Sequence, residues 1–428
     1  MLSIAMRMGC GLVLCATLFA MSAWAGGAYI YEVGTPDLGT AAAGRAALAQ
    51  DASTVISNPA GMARLDHSQL TTSLYSIIPS VKFDRDSGTT FSGGDGFNAG
   101  APIPSLSTVS MPIPAGAFFY VYNLSPDWKL GVGIGSGFGA GLNYGKEWVG
   151  RYLIQKSQLL TTTINPGVSY RVNPWLSIGA GFSINYALFS YTTAVNNILD
   201  RLPDGRLKLR ADDVGFGGNV GVLLEPSPRT RFGLTYRSPI DLSYTDRLNL
   251  TNVGPALSHL LGQKITIDQT APQTVMASAY HAVTDRWALM GNVGWQNWEE
   301  FGQVGVTVEA DTSRSATIDS GFQDTWHVAL GTQYRLATPW LLSAGFAYDS
   351  SPVSKFHRTP SMPLDRNFRY GVGLQYEWSE TMTIGAAYEF LDAGSAEIAG
   401  ARRPAGTLEG DYSTNRIQFI ALNMIRKF

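Results

Sequence analysis

From residue 68 onward, apolar and polar side chains alternate with a period of two, the spacing of a β-strand with two unlike faces. Leu176, Ile178, Ala180, Phe182, Ile184 and Tyr186 share one face, and Ser177, Gly179, Gly181, Ser183 and Asn185 share the other. Tyr370, Val372, Leu374, Tyr376 and Trp378 alternate in the same way with Arg369, Gly371, Gly373, Gln375 and Glu377. The pattern predicts 14 strands, at 68–83, 113–123, 128–144, 157–171, 175–192, 213–225, 229–247, 265–283, 286–308, 322–336, 340–353, 366–379, 381–395 and 414–428. Short turns, several ending on Trp (Asn173-Pro174-Trp175, Thr338-Pro339-Trp340), alternate with longer polar segments near 145–156, 193–212, 248–264, 309–321, 351–365 and 396–413. An even count lets the last strand return beside the first and close the sheet.

The polar faces are rich in Gly, Ser and Asn rather than Lys and Glu, and the strands run to ten or more residues. Only 15% of the chain is charged, against about a quarter for a soluble domain. Aromatics cluster at strand ends, as the girdles of a barrel in lipid require. A helical membrane protein would need apolar runs of about 18 residues or more, and none occurs after residue 25. The predicted fold is therefore an all-β membrane protein, a 14-stranded antiparallel transmembrane β-barrel.

At the N-terminus, Arg7, the apolar run Met8 to Phe19 and Ala23-Trp24-Ala25 predict a secretory signal peptide over 1–25, cleaved before Gly26. Both cysteines, Cys10 and Cys15, fall within it, so no thiol or Cys-bound metal is expected in the remainder. A net charge of −2 with no basic block argues against nucleic acid as a partner. A leader and a barrel together predict the outer membrane of a Gram-negative bacterium, in contact with membrane lipid and lipopolysaccharide. The chain ends on Phe428, with Ile420, Leu422 and Met424 on the same face, similar to the signal that barrel-assembly machinery reads.

Residues 26–67 do not alternate. Gly39 to Ala49 is small-residue-rich and helix-competent, and Asp51-Ala52-Ser53-Thr54 and Asn58-Pro59-Ala60-Gly61-Met62 read as turns. A compact segment ahead of the first strand predicts a plug inside a barrel of residues 68–428. Here the sequence resembles the FadL-type outer-membrane transporters of long-chain fatty acids and other hydrophobic compounds. The resemblance rests on Gly44-Arg45-Ala46, Asp51-Ala52 and Asn58-Pro59-Ala60, then on Arg231 to Ser238, Trp295-Gln296-Asn297-Trp298 and Gly321-Phe322-Gln323-Asp324. Ala329 to Thr332, Asp349 to Pro352 and Asp365-Arg366 extend it along the chain. It implies a barrel plugged by an N-terminal hatch whose Asn58, Pro59 and Ala60 form a gate, and a kinked third strand that opens sideways. It also implies a ligand that is a fatty acid or an aromatic hydrocarbon.

The third strand is unusual without any resemblance. Gly131, Gly133, Gly135, Gly137, Gly139 and Gly141 occupy one face, opposite Val132, Ile134, Ser136, Phe138, Ala140 and Leu142. The glycines either make room for the hatch or let the strand bulge beside a cavity, which would put a lateral opening at Gly133, Gly135, Gly137, Phe138 and Gly139. Two loops carry apolar residues at helical spacing: Val195, Ile198, Leu199 and Leu202, and Val253, Ala256, Leu257, Leu260 and Leu261. By position these match the loops that form the resembled family's outer hydrophobic groove.

No G-x-S-x-G or H-E-x-x-H occurs, and the five histidines are scattered, so neither catalysis nor a metal or cofactor is expected. The expected activity is ligand-gated facilitated diffusion of a hydrophobic compound by a monomer. A general porin is the alternative and a barrel lipid hydrolase a more distant one.

Overall fold

The structure is a computed structural model. It describes residues 31, 35–90, 108–109, 112–136, 139–197, 200, 202–308, 316–403 and 406–428. The expected signal peptide, Gly137, Phe138, Ile198 and Leu199 lie outside the described residues. Fourteen antiparallel strands form one closed barrel. They are β1 (Gln69–Arg85), β2 (Ile113–Asn123), β3 (Trp128–Gly135, then Gly139–Asn143), β4 (Lys156–Asn173) and β5 (Leu176–Val195). Next come β6 (Gly205–Ser227), β7 (Thr230–Arg237), β8 (Thr274–Ala282), β9 (Trp287–Gln296) and β10 (Thr325–Ala337). The last four are β11 (Trp340–Asp349), β12 (Asn367–Ser379), β13 (Met382–Asp392) and β14 (Gly406–Lys427). Each strand pairs with the next, and β14 closes the ring on β1 from Gln69↔Lys427 to Arg85↔Gly410. Closure removes the two free edges that an open sheet would present to lipid.

The period-two pattern sets the radial order. On β5 and β6, Ile178, Phe182, Tyr186, Val214, Phe216, Val220 and Leu224 point outward and are exposed, while Ser177, Ser183, Asn185 and Asn219 face inward and are buried. This is the reverse of a soluble sandwich, and it is the arrangement lipid demands. Ile420, Leu422 and Phe428 join the outward belt. Among the described residues no helix is long and apolar enough to cross a membrane.

Three predicted strands are each broken within their length. The run 229–247 breaks at Ser238-Pro239, 265–283 at Pro272-Gln273, and 286–308 at Asn297 before the turn Trp298–Gly302. Pro239 and Pro272 have no N–H to give a ladder. Beyond the breaks, Ile240–Arg247, Lys264–Ala271, Gln303–Val308 and Ala316–Asp319 form a separate four-stranded outer sheet. Its apolar face (Leu242, Tyr244, Ile265, Ile267, Val304) is buried, with Tyr244 stacked on Phe189 of β5 at 5.0 Å between ring centroids. The outer ends of β5 and β6 thus gain a second layer.

The 193–212 segment is also corrected. It is strand up to Val195 and again from Gly205, because Leu207, Leu209 and Ala211 continue the inward alternation against outward Arg206, Lys208 and Arg210. In 248–264 the only described helix is the single turn Pro255–Ser258.

Residues 35–65 pack against the inward-facing side of the wall as four helices of four to six residues, Pro36–Thr40, Arg45–Leu48, Thr54–Ser57 and Pro59–Arg64. Helices this short leave most of their backbone groups without intrahelical partners. Wall side chains supply them: Asn292 and Ser278 accept from the N–H groups of Gly44 and Ala46, and Arg231 donates to the carbonyls of Ala47 and Leu48. A Cβ on Gly345 would stand 1.9 Å from the Thr40 carbonyl oxygen, and one on Gly233 1.9 Å from that of Ala46. Main chain of the segment therefore meets main chain of the wall.

Candidate functional site

The ladder between β2 and β3 runs only from Asn123↔Lys129 to Phe118↔Ile134. Among the described residues the third strand leaves its ladder after Gly135, and Gly139–Asn143 pairs with β4 alone, from Gly139↔Leu160 to Asn143↔Lys156. Among the described residues, no ladder joins 113–117 of β2 to β3, although the same stretch stays paired with β1. Among the described residues the ladder between β2 and β3 is open there.

Behind the gap lies a cavity of about 340 Å³. Tyr75, Ile77 and Val81 of β1, Ile113 and Ala115 of β2, and Ile417 and Phe419 of β14 line its inner side. Gly135, Ser136 and Gly139 edge the break, and Ile134, Leu160 and Thr162, which point outward, also line the cavity. The space therefore runs from the interior to the lipid-facing surface. Leu142, Pro363 and Leu364 bound it further out. Beyond them Tyr144 stacks on Trp148 at 4.3 Å and bonds the Pro360 carbonyl at 2.8 Å and the Tyr412 hydroxyl at 2.9 Å. Burial pushes the phenol of Tyr144 well above the ordinary tyrosine range.

The loop behind that aromatic cluster is tied by Arg151, whose Nε donates to Asp204 at 2.9 Å, and by the Tyr152 hydroxyl, which donates to Asp204 at 2.7 Å. Burial alone would lower the Arg151 guanidinium, but Asp204 and Tyr152 hold it above its usual value. Burial, followed by the bond to Asp204, pushes the Tyr152 phenol up.

The glycines of β3 divide between the two roles open in the sequence. A Cβ on Gly131 would stand 2.5 Å from the Met62 sulfur, and one on Gly133 2.7 Å from Ile56, so these two lie under the N-terminal segment. Gly133 is also still paired, opposite Phe119 and Asn165, below the break. Gly135 and Gly139 line the cavity.

Asn58 is fully buried beside Pro59 and Ala60. Its Oδ1 accepts from the Ala60 N–H at 3.1 Å, and its Nδ2 donates to the carbonyls of Ala46 at 2.6 Å and Val222 at 3.1 Å. One side chain thus caps a turn, joins two parts of the segment and ties both to β6. Three alanines of the segment, Ala41, Ala42 and Ala49, sit at φ of 50°, 59° and 41°. The left-handed region costs a non-glycine residue about 1–2 kcal/mol, so the segment is held in place under strain.

Among the described residues expected to form an outer groove, exposure is divided. Leu257 and Leu260 are buried in the core and Val253 packs partly against it, whereas Leu202 and Leu261 are exposed. Leu261 borders a shallow polar hollow with Lys208, Arg210 and Arg247.

Two sets of residues escaped the sequence reading. The cavity walls were legible in part, since Tyr75, Ile77, Val81 and Phe83 make the inward face of β1 apolar where other strands place Gly, Ser or Asn. A buried chain of polar and charged side chains crosses β10 to β13: His327 Nδ1 lies 2.7 Å from Asp349, Asp349 2.9 Å from Arg369, and Arg369 3.6 Å from Glu389. The Tyr31 ring covers His327 at 4.4 Å.

Comparison with known proteins gives a consistent result. The family described as outer membrane protein transport protein (OMPP1/FadL/TodX) matches residues 16–428. The long-chain fatty acid transport protein of Escherichia coli O6:H1 is 26% identical over 88% of this chain and 90% of its own length. Outer membrane protein P1 of Haemophilus influenzae is 26% identical over 87% of this chain and 88% of its own. Among solved structures, a Pseudomonas aeruginosa FadL homologue superposes with a TM-score of 0.84 at 19% identity, covering 94% of this chain and 100% of that one. The Pseudomonas putida toluene transporter TodX gives 0.69 at 17% identity, covering 95% and 100%.

Proposed function

The chain belongs to the outer membrane protein transport family (OMPP1/FadL/TodX), and on that premise we propose that it takes up a hydrophobic compound through the gap in β3. The family places it in the outer membrane of a Gram-negative bacterium as a transport protein rather than an enzyme. The relatives' names make long-chain fatty acids and toluene the candidate cargoes.

The observation that carries the reading is an apolar cavity continuous with the lipid-facing surface at Ile134 and Leu160. A molecule with an apolar tail gains about 0.8 kcal/mol per CH₂ on leaving water. Release into the periplasm would forfeit that gain, whereas sideways release between β2 and β3 into the bilayer keeps it. The N-terminal segment acts as a hatch that fills the axis, with the Asn58-Pro59-Ala60 turn as its gate. Its strained alanines and short helices favour a small shift over rigid plugging.

The test replaces Gly135 and Gly139 with Val, placing bulk at the edge of the opening. Uptake of labelled ligand into proteoliposomes should fall to the protein-free level while heat-modifiable gel mobility, the sign of a folded barrel, persists. Normal uptake by a folded double variant would refute the lateral route.

A further inference from the structure

The outward face of β6 changes character along its length. From the rim that carries the short turn between Ser227 and Thr230, Leu224, Val220, Phe216 and Val214 are exposed and apolar. Leu224 and Val214 lie about 33 Å apart along the strand and about 25 Å apart in height at the usual strand tilt, the full depth of an apolar belt in lipid. Beyond the belt the same face continues as Asp212, Arg210, Lys208 and Arg206, all exposed. Short turns mark the periplasmic rim of such barrels and longer loops the outer rim, so these charges stand level with the headgroups of the outer leaflet.

Lys208 and Arg210, about 6.6 Å apart along the strand, share a hollow with Arg247 and the half-exposed Leu261. Asp246 also lines the hollow, but its carboxylate is turned to backbone, one oxygen accepting from the Arg210 N–H and the other from the Arg247 N–H, both at 2.7 Å. Arg247 donates to the Gly262 carbonyl at 3.0 Å. The cross-strand partners of Lys208 and Arg210, namely Ser190, Thr192 and Asn249, are uncharged, and Asp212 opposes them one step nearer the belt. Three cations therefore face one occupied carboxylate.

Like charges held this close repel, and an anion placed between them lowers the energy of all three. Phosphate suits them best, because its oxygens accept charge-assisted bonds from a guanidinium fork and from an ammonium at once. A phosphate in solution would gain from the cations alone. A phosphate carried on acyl chains gains as well from Leu261 and from the apolar belt directly beneath.

We propose that Lys208, Arg210 and Arg247 form a docking site for the phosphate groups of lipopolysaccharide, the phosphorylated glycolipid of the outer leaflet, with its acyl chains lying along the β6 belt. The site is on other strands than the opening between β2 and β3 and does not depend on what passes there.

The test uses the full chain folded in detergent and native mass spectrometry to measure bound lipid. The probes are bis-phosphorylated lipid A, its dephosphorylated form and inorganic phosphate. Wild-type protein should bind lipid A about tenfold or more tighter than the dephosphorylated form. Replacing Lys208 and Arg210 together by Gln should weaken lipid A about fivefold for each cation lost, and Arg247→Gln, on a different strand, should do so about fivefold alone. Lys208→Arg keeps the charge and should keep the affinity. Arg229→Gln removes an exposed cation at the opposite rim and should change nothing. Heat-modifiable gel mobility confirms that each variant is folded. The proposal is overturned if both forms of lipid A bind alike, if the double variant keeps the preference, or if Arg229→Gln lowers it equally. Displacement of lipid A by millimolar inorganic phosphate would also overturn it, since the site would then serve a free anion.

Discussion

Replacing Asn58 with Ala should loosen the N-terminal segment without loosening the barrel. The side chain makes three hydrogen bonds, to Ala60, Ala46 and Val222, and is fully buried. A buried hydrogen bond contributes about 1 kcal/mol net, so the substitution costs the docked segment about 3 kcal/mol. At about 1.4 kcal/mol per factor of ten, its locally opened population rises on the order of a hundredfold. Hydrogen exchange read by mass spectrometry resolves this directly. Peptides covering 44–65 should exchange faster by that order, while peptides from β5 and β12 keep their wild-type protection. Asn58→Asp is a graded control, since it keeps the acceptor for Ala60 and loses both donations. Wild-type exchange in the alanine variant would show that the segment is held by shape alone, and that the turn is not a gate.

Other outcomes follow from burial. Leu257→Asp should expose the outer loop to trypsin at Arg247 and Lys264, because a buried leucine contributes about 1.5–3 kcal/mol of apolar transfer. Weaker ligand capture with unchanged nicking would instead restore a groove role for that residue. Arg369→Leu removes the cation between Asp349 and Glu389, and breaking a buried pair costs about 3–5 kcal/mol. The temperature at which the barrel loses its folded gel mobility should drop clearly, and an unchanged temperature would mean that this charge chain adds no stability.

The barrel was legible because lipid outside and small polar groups inside impose opposite chemistry on successive residues, as on β5 between Leu176 and Tyr186. What the alternation could not carry was the level at which strands leave the ring. Pro239 and Pro272 lay in view, but each reads as a tolerable edge residue until its neighbours are known to break at the same height. The loop 193–212 misled because Val195, Ile198, Leu199 and Leu202 satisfy helical spacing over too few residues to outweigh the strand pattern from Gly205. At the site, glycine says only that a side chain is missing. Whether Gly133 faces Ile56 or a cavity depends on a partner some eighty residues earlier in the chain, which no local pattern records.

The contact of main chain with main chain at Gly345 and Gly233 bears on the closure of the ring. A hydrogen-bonded ring is stiff, and at these two points the segment meets it with no intervening side chain that could fold aside. At those two points the closed ring and the segment leave no room for a side chain between them. Residues 35–65 lead directly into β1, and the ring is completed only when β14, the last strand made, pairs with β1 along its whole length. The segment and the first strand of the seam are thus contiguous in sequence, and the seam that joins the first strand to the last is the joint on which closure of the ring depends.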